Sequence, residues 1–177
     1  MIPVKILIDS SGSMNEQAKL AITREVIKTL SMYHLISDLS FSLDIYRWGD
    51  DIENCSYNDV TSIICDKKNN FNQLMAWLNT NQDTLVFIIS DGNFTKSAID
   101  TLKQNALGLL NKVYIIIVGR EDIATLVKSQ IFDKRIFLSS SISALITTLE
   151  IAHPEIVMRH SMTNPVNTET IMEDDWA

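Results

Sequence analysis

The sequence has little of the residues that dominate fibrous, low-complexity or disulfide-built proteins. Its 177 residues include 5 glycines, 3 prolines and 2 cysteines. Collagen-like and low-complexity chains are therefore excluded, and two cysteines cannot build a disulfide scaffold. Cys55 and Cys65 stand in a polar stretch without a CxxC spacing, so we expect free thiols, with an incidental pairing as the alternative.

Positive charge is also scarce, since 15 lysines and arginines face 22 aspartates and glutamates, giving a net charge of -7. Nucleic acid and anionic membranes would repel such a chain, so we expect neither as a direct partner. No apolar run approaches the roughly 18 residues that cross a bilayer. The first residues lack the long apolar core and cleavage site of a signal peptide, so we expect a cytoplasmic protein.

Apolar segments of strand type alternate with segments of helix type along most of the chain. Predominantly apolar runs at residues 4–8, 85–89 and 113–118 are typical of strands that are buried on both faces. Residues 41–46 instead alternate apolar and polar side chains, which predicts a strand with one exposed face at an edge of the sheet. A weaker strand is predicted at residues 52–56.

Helices are predicted between these strands, where apolar residues recur at three- and four-residue steps. The predicted helices span residues 18–33, 72–79, 96–109, 123–129 and 142–151, and a short strand is predicted at residues 135–138. We therefore expect an α/β fold, a Rossmann-like doubly wound sandwich with a mostly parallel central sheet, one antiparallel edge strand and helices on both faces. The domain is expected to span residues 1–152, followed by an acidic C-terminal extension at residues 153–177.

Polar loops with acidic residues follow two of the predicted buried strands. Asp9, Ser11 and Ser13 leave the first strand, and Asp91 leaves a later one. Because ligands bind beyond the carboxyl ends of the strands in open parallel sheets, we expect the two carboxylates in one crevice. The spacing lets one carboxylate and two hydroxyls converge, with Gly12 permitting a tight backbone path. Oxygen ligands of this kind predict a hard cation, Mg²⁺ or alternatively Mn²⁺ or Ca²⁺.

A simpler interpretation of the two loops needs no metal. Ser13 would cap the long first helix, and Asp91-Gly92 would be a turn dipeptide. Both loops follow strands of the parallel type, however, and this combination favours the metal site.

Motifs of enzymatic catalysis are missing. The sequence has no GxSxG around Ser11, no P-loop, and no second acid two residues after Asp9, where a phosphatase-like nucleophile would need one. His34, His153 and His160 lack a zinc-like spacing. We therefore expect a protein that is not an enzyme.

Three segments resemble the von Willebrand factor A (vWA) domain family. VKILID runs into DSSGSM, which matches the family's DxSxS motif, and VFIISDG matches its hydrophobic strand followed by an aspartate. LDIYRWGDD is similar to the family's second strand and the turn that ends it. The resemblance covers residues 1–151 and implies a metal-ion-dependent adhesion site, or MIDAS.

The resemblance also implies a role for each site residue. Ser11 and Ser13 would ligate the metal through their hydroxyls, while Asp9 and Asp91 would approach it directly or through water. Asn72 stands where the family usually has a threonine ligand. Its amide oxygen would be a ligand of different length and geometry, and the alternative is that Asn72 is only the N-cap of its helix.

For function, the resemblance implies a metal-dependent protein–protein interaction module, in which a Glu or Asp of a partner protein completes the metal shell. The chain is similar to small vWA proteins that bacteria pair with ATPases, kinases or phosphatases, so we expect a subunit of a bacterial stress or defence complex. Two alternatives stay open: a metal-dependent hydrolase using Asp9, Ser11 and Asp91, and a structural subunit whose metal site is vestigial. The acidic end of the extension, which contains Trp176, is either disordered or a docking peptide whose carboxylates compete for the metal.

Overall fold

The computed structural model describes residues 3–16, 18–36, 43–66, 68–105, 108–119 and 123–152. The strands in this part of the chain are β1 (Val4–Asp9), β2 (Leu43–Trp48), β3 (Ile52–Asn54), β4 (Leu85–Ser90), β5 (Val113–Ile117) and β6 (Ile136–Leu138). They form one sheet in the order β3-β2-β1-β4-β5-β6. Neighbouring strands are parallel except β2 and β3, which are antiparallel. The expected α/β fold, with a mostly parallel sheet and one antiparallel edge strand, is confirmed.

The helices of the described segments are α1 (Lys19–Ile36), α2 (Phe71–Thr80), α3 (Lys96–Asn105), α4 (Ala124–Ser129) and α5 (Ile142–Ala152). The helix predicted at 96–109 ends earlier than expected, and a 3-10 turn at Leu109–Lys112 leads into β5. Within the same segments, no helix has both the length and the apolar character that crossing a membrane requires.

Helices cover both faces of the sheet, as predicted. Successive strand side chains point to opposite faces, so neighbouring residues of β1 enter different cores. Ile6 packs in a core with side chains of α1 and α5. Leu7 packs in a second core with side chains of α2, α3 and α4. Each such burial stabilises the fold by about 1.5–3 kcal/mol, and it explains why β4 and β5 are almost entirely apolar and β1 is apolar at Val4 and at Ile6–Ile8.

The strand β2 is not the edge strand that its alternating pattern predicted. β3 pairs with its outer side, placing Tyr46 opposite Asn54 and Trp48 opposite Ile52. The prediction was wrong because alternating apolar and polar side chains show only that one face of the strand is exposed. An edge strand is instead one that lacks a hydrogen-bonded neighbour on one side. The weaker strand predicted at 52–56 is the antiparallel edge, and it is shorter than expected.

Cys55 and Cys65 are free thiols, as expected. The extension at 153–177, with His153, His160 and Trp176, lies outside the described residues, as does the side chain of His34.

Candidate functional site

Asp9 lies at the carboxyl end of β1, in the middle of the sheet. The register that sets Ile8 opposite Ile89 brings Asp9 beside Ser90, the last residue of β4. Asp9 Oδ1 accepts a hydrogen bond from the Ser11 N–H at 2.8 Å, and its Oδ2 accepts one from Ser90 Oγ at 2.6 Å. The residue is only 1% exposed, so the carboxylate is anchored with both oxygens engaged.

Burial raises the pKa of Asp9, although hydrogen bonds from neighbouring groups, including the Asn69 side chain, oppose this. The cause is desolvation, since a low-dielectric surrounding disfavours the charged form of a carboxyl group. A nearby cation would remove this penalty by compensating the charge. A bound cation would therefore favour the charged form of Asp9.

The chain leaves β1 into a 3-10 turn at Gly12–Asn15. This turn brings Ser11 Oγ to 3.2 Å from Ser13 Oγ, so the two hydroxyls converge beside the Asp9 carboxylate. The alternative role of Ser13 as N-cap of the first helix is wrong, because α1 begins only at Lys19.

The structure also shows no requirement for glycine at position 12, contrary to the expectation. The φ angle of Gly12 is not positive, and a Cβ at this position would lie 3.9 Å from Cys65 O, an ordinary van der Waals distance. Gly92 and Gly119 are the glycines with positive φ in the described part of the chain, and φ is 78° at Gly92. A Cβ at Gly92 would lie 2.7 Å from Ile123 Cγ2 and 3.0 Å from Ile117 Cδ1. The loop after β4 therefore requires glycine at position 92.

Ser90 connects this loop to Asp9. Its Oγ accepts the Gly92 N–H at 3.1 Å while donating to Asp9 Oδ2. Ser90 was not predicted as a site residue, although its place directly before Asp91 at the end of a buried strand is a signal that could have identified it.

Asp91 is buried at the same edge of the sheet, but a lysine holds it. Its Oδ1 accepts the Asn93 N–H at 3.1 Å, and its Oδ2 accepts a hydrogen bond from Lys19 Nζ at 3.0 Å. The same ammonium group donates to Ser13 O at 2.9 Å. Lys19 was not predicted as a site residue either. The signal for it was its place on the same helical stripe as Thr23 and the buried residues of α1.

Two asparagines before α2 have roles that differ from the expectation for Asn72. Asn70 is the N-cap, because its Oδ1 accepts the N–H groups of Asn72 at 3.1 Å and Gln73 at 3.3 Å. The alternative that Asn72 caps this helix is therefore wrong, and Asn72 lines the cleft with an exposed side chain. Asn69 also lines the cleft, and its Oδ1 atom is buried without a hydrogen-bond partner among the described residues.

Asp9, Ser11 and Ser13 line an open cleft of about 610 Å³. Its apolar wall contains Phe71 and Phe94, whose rings meet edge to face with centroids 5.5 Å apart. A cleft of this size holds more than one ion, so it has room for a side chain of a partner molecule.

The donor atoms in the cleft fit a hard cation. No cluster of three or more His, Cys, Asp or Glu side chains is placed to hold a metal among the described residues. The oxygens available instead are one carboxylate, two adjacent hydroxyls and the unpartnered Asn69 amide oxygen. Mg²⁺ accepts such a set, because it prefers oxygen ligands and keeps water among them.

Comparison with known proteins identifies the fold but no family. No family profile matches the sequence, and no curated protein resembles it significantly. The fold is similar to that of BatB from Bacteroides thetaiotaomicron, with a TM-score of 0.56 at 12% identity, covering 85% of this chain and 100% of that chain. The SpRpn10 VWA domain gives a TM-score of 0.53 at 13% identity, covering 78% of this chain and 86% of that one.

An aerotolerance-related membrane protein from Bacteroides fragilis gives a TM-score of 0.50 at 12% identity, covering 84% and 98% of the two chains. At these identities the likeness concerns the fold alone. The chain therefore has a vWA-like fold, and the expectation from the three motifs is confirmed at this level.

Proposed function

We propose that the protein is a non-enzymatic interaction module that binds a divalent cation, Mg²⁺ in the first place, and holds a partner protein through it. The observation that carries this proposal is the buried Asp9 carboxylate, which lines an open cleft with Ser11 and Ser13 and accepts no hydrogen bond from a cationic side chain in the described part of the chain. A buried carboxylate in this setting favours a cation. The vWA-like fold supports the same class of function.

Asp9, Ser11 and Ser13 are the proposed ligands that the DxSxS motif supplies. For the amide ligand we favour Asn69 over Asn72, because Asn69 Oδ1 is buried without a partner whereas the Asn72 side chain is exposed. A buried carbonyl oxygen without a hydrogen bond costs about 1–3 kcal/mol, and a cation would remove this cost. Bound there, Mg²⁺ would supply a hard centre that attracts an incoming carboxylate.

The cleft suggests which partner segment fits. A Glu or Asp side chain would complete the cation's shell, and an apolar neighbour would pack against Phe71 and Phe94. Lys68 on the same cleft adds attraction for an acidic segment. Because the whole chain carries a net charge of -7, we expect a partner that is basic overall and acidic only at the contact.

An ATPase, kinase or phosphatase subunit of a cytoplasmic bacterial stress or defence complex remains the proposed partner. This part of the proposal is tested by capture: the partner should bind with Mg²⁺, be released by EDTA, and fail to bind Asp9→Ala. Binding that survives both the chelator and the substitution would contradict it.

The cation itself is tested by thermal unfolding in EDTA and in titrations of Mg²⁺, Mn²⁺ and Ca²⁺. A cation at about 100 times its Kd stabilises the native state by about 2.7 kcal/mol. For a chain of this size, each kcal/mol raises the melting temperature by about 2–4 °C, so we expect a rise of about 5–10 °C in the wild type. The double variant Ser11→Ala/Ser13→Ala should lose this rise.

Ser97→Ala is the matched control, since Ser97 is exposed on the same cleft but belongs to α3. It should respond to the cation like the wild type. An equal response of wild type and the double variant, or no response of the wild type to any of the three ions, would overturn the proposal.

The choice of amide ligand is tested in the same titration. Asn69→Ala should reduce the cation-induced rise, and Asn72→Ala should leave it unchanged. Asn70→Ala serves as a stability control, because loss of this N-cap should cost about 1 kcal/mol without weakening the response to the cation. If Asn72→Ala reduced the cation-induced rise in melting temperature and Asn69→Ala did not, Asn72 would be the ligand instead.

The two alternative functions give different results in these experiments. A hydrolase would turn over a generic phosphoester with Mg²⁺ and lose this activity in Asp9→Ala. A structural subunit with a vestigial site would show no stabilisation by any divalent ion.

A further inference from the structure

Lys19 is the first residue of α1, and its side chain is wholly buried between two loops of the site. Its ammonium group donates to Ser13 O at 2.9 Å and to Asp91 Oδ2 at 3.0 Å. The Glu16 carboxylate lies 3.6 Å away, but that side chain is 60% exposed. Solvent weakens the contact with Glu16, so Asp91 is the principal counter-ion.

The fold reserves space for this lysine. Gly119 follows β5 with a φ of 97°, and a Cβ there would lie 3.0 Å from Lys19 Cε and 3.7 Å from its Cδ and Cγ. The methylene groups of Lys19 therefore pack against Gly119, in space that a larger residue at position 119 would fill. A buried ammonium group is stable only with a close partner, which the Asp91 carboxylate provides.

We infer that Lys19 is the internal counter-ion of Asp91, so that Asp91 balances the lysine instead of ligating the cation. The ion pair also positions the site, because it ties the turn that carries Ser13 to the loop after β4. Lys19 is thus a positioning and charge-setting residue of the cleft.

The charge balance explains what this arrangement achieves. With the Lys19–Asp91 pair neutral, Asp9 is the one carboxylate of the proposed ligand set, so this set and a divalent cation together keep one net positive charge. Two free carboxylates would neutralise the cation and remove its attraction for a partner carboxylate. This consequence rests on the proposed function, whereas the ion pair itself does not.

Four variants test the inference: Lys19→Met, Asp91→Asn, their combination, and Lys28→Met as a control for an exposed lysine on the same helix. The first measurement is urea unfolding in EDTA. Removing one partner leaves a buried charge, so each single variant should unfold at lower urea than the wild type. The combination should unfold at higher urea than Lys19→Met, and Lys28→Met should match the wild type.

The second measurement is Mn²⁺ affinity by calorimetry, without any partner protein. Lys19→Met frees the Asp91 carboxylate, so we expect Mn²⁺ to bind about tenfold more tightly. Asp91→Asn leaves an unbalanced ammonium group and should bind about tenfold more weakly. The combination removes both charges, so its Mn²⁺ affinity should lie within about threefold of the wild-type affinity.

A combination that binds Mn²⁺ as weakly as Asp91→Asn would overturn the inference, because Asp91 would then be a ligand. If the double variant lost as much stability as the two single variants together, the two side chains would not be coupled, and the ion pair would be refuted. If Lys19→Met does not fold, Asp91→Asn and the combination decide both points. A wild type that binds no Mn²⁺ refutes the proposed function, while the urea comparison still decides the counter-ion role.

Discussion

A single methyl group at Gly92 tests how the backbone after β4 supports the site. Gly92→Ala places a Cβ where φ is 78°, 2.7 Å from Ile123 Cγ2 and 3.0 Å from Ile117 Cδ1. Both neighbours are apolar side chains of the core on that face of the sheet. The loop must therefore move, because the nearer contact is shorter than van der Waals packing allows.

The size of the effect follows from two costs. The left-handed conformation costs a residue with a Cβ about 1–2 kcal/mol, and overpacking the core costs about 1–3 kcal/mol. Loss of glycine's freedom in the unfolded chain returns about 0.4–1 kcal/mol. We expect the free energy of unfolding to fall by about 3 kcal/mol, which lowers the melting temperature by about 6–12 °C.

The variant should also weaken the site. The Gly92 N–H donates to Ser90 Oγ, which in turn donates to Asp9, so a displaced Gly92 disturbs the carboxylate. Urea and thermal unfolding with and without Mg²⁺ measure both effects. Gly12→Ala is the matched control, because its Cβ meets only Cys65 O at 3.9 Å, and its stability should stay within about 1 kcal/mol of the wild type. A Gly92→Ala protein as stable as this control would refute the reasoning.

Three further predictions concern titration, thiol chemistry and the extension. Because burial raises the pKa of Asp9, the stability that this group contributes is present below its unfolded pKa and is lost as the pH rises through its folded pKa. In EDTA, Asp9→Asn should therefore gain stability relative to the wild type as the pH rises above about 4, as urea titrations would measure. Burial, helped by the charges of Asp9 and Asp66, raises the pKa of Cys65 to about 11, so iodoacetamide at about pH 8 should label the more exposed Cys55 first and Cys65 only after unfolding, as peptide mass spectrometry would detect. If the carboxylates of the extension compete for the cation, deleting residues 153–177 should tighten binding of an acidic partner peptide; unchanged affinity and unchanged monomer mass would refute this idea.

Local sequence patterns were sufficient for most of the fold. The apolar runs of β1, β4 and β5 predicted strands covered on both faces, and the alternation with helices predicted the parallel sheet. The position of β2 could not be predicted in this way, because it depends on the pairing with β3. The early end of α3 was also missed, since the last residues of a helix depend on tertiary contacts as well as on propensity.

The residues of the site also differ in whether local sequence patterns could predict them. Asp9, Ser11 and Ser13 are close in the chain, so their spacing alone predicted that they would converge. Ser90 and Lys19 were missed because their roles depend on contacts between segments that are distant in sequence.

The sequence by itself determined the strands, most helices and the polar loop after β1, because hydrophobic periodicity and short-range spacing are properties of neighbouring residues. Only the tertiary structure decided that a buried lysine pairs with Asp91, and that Asn69 lines the cleft with a buried amide oxygen that has no hydrogen-bond partner among the described residues. The physical reason is that burial and charge pairing arise when β1, β4 and β5 align side by side. That alignment brings the Asp9 and Asp91 loops and Gly119 to one edge of the sheet.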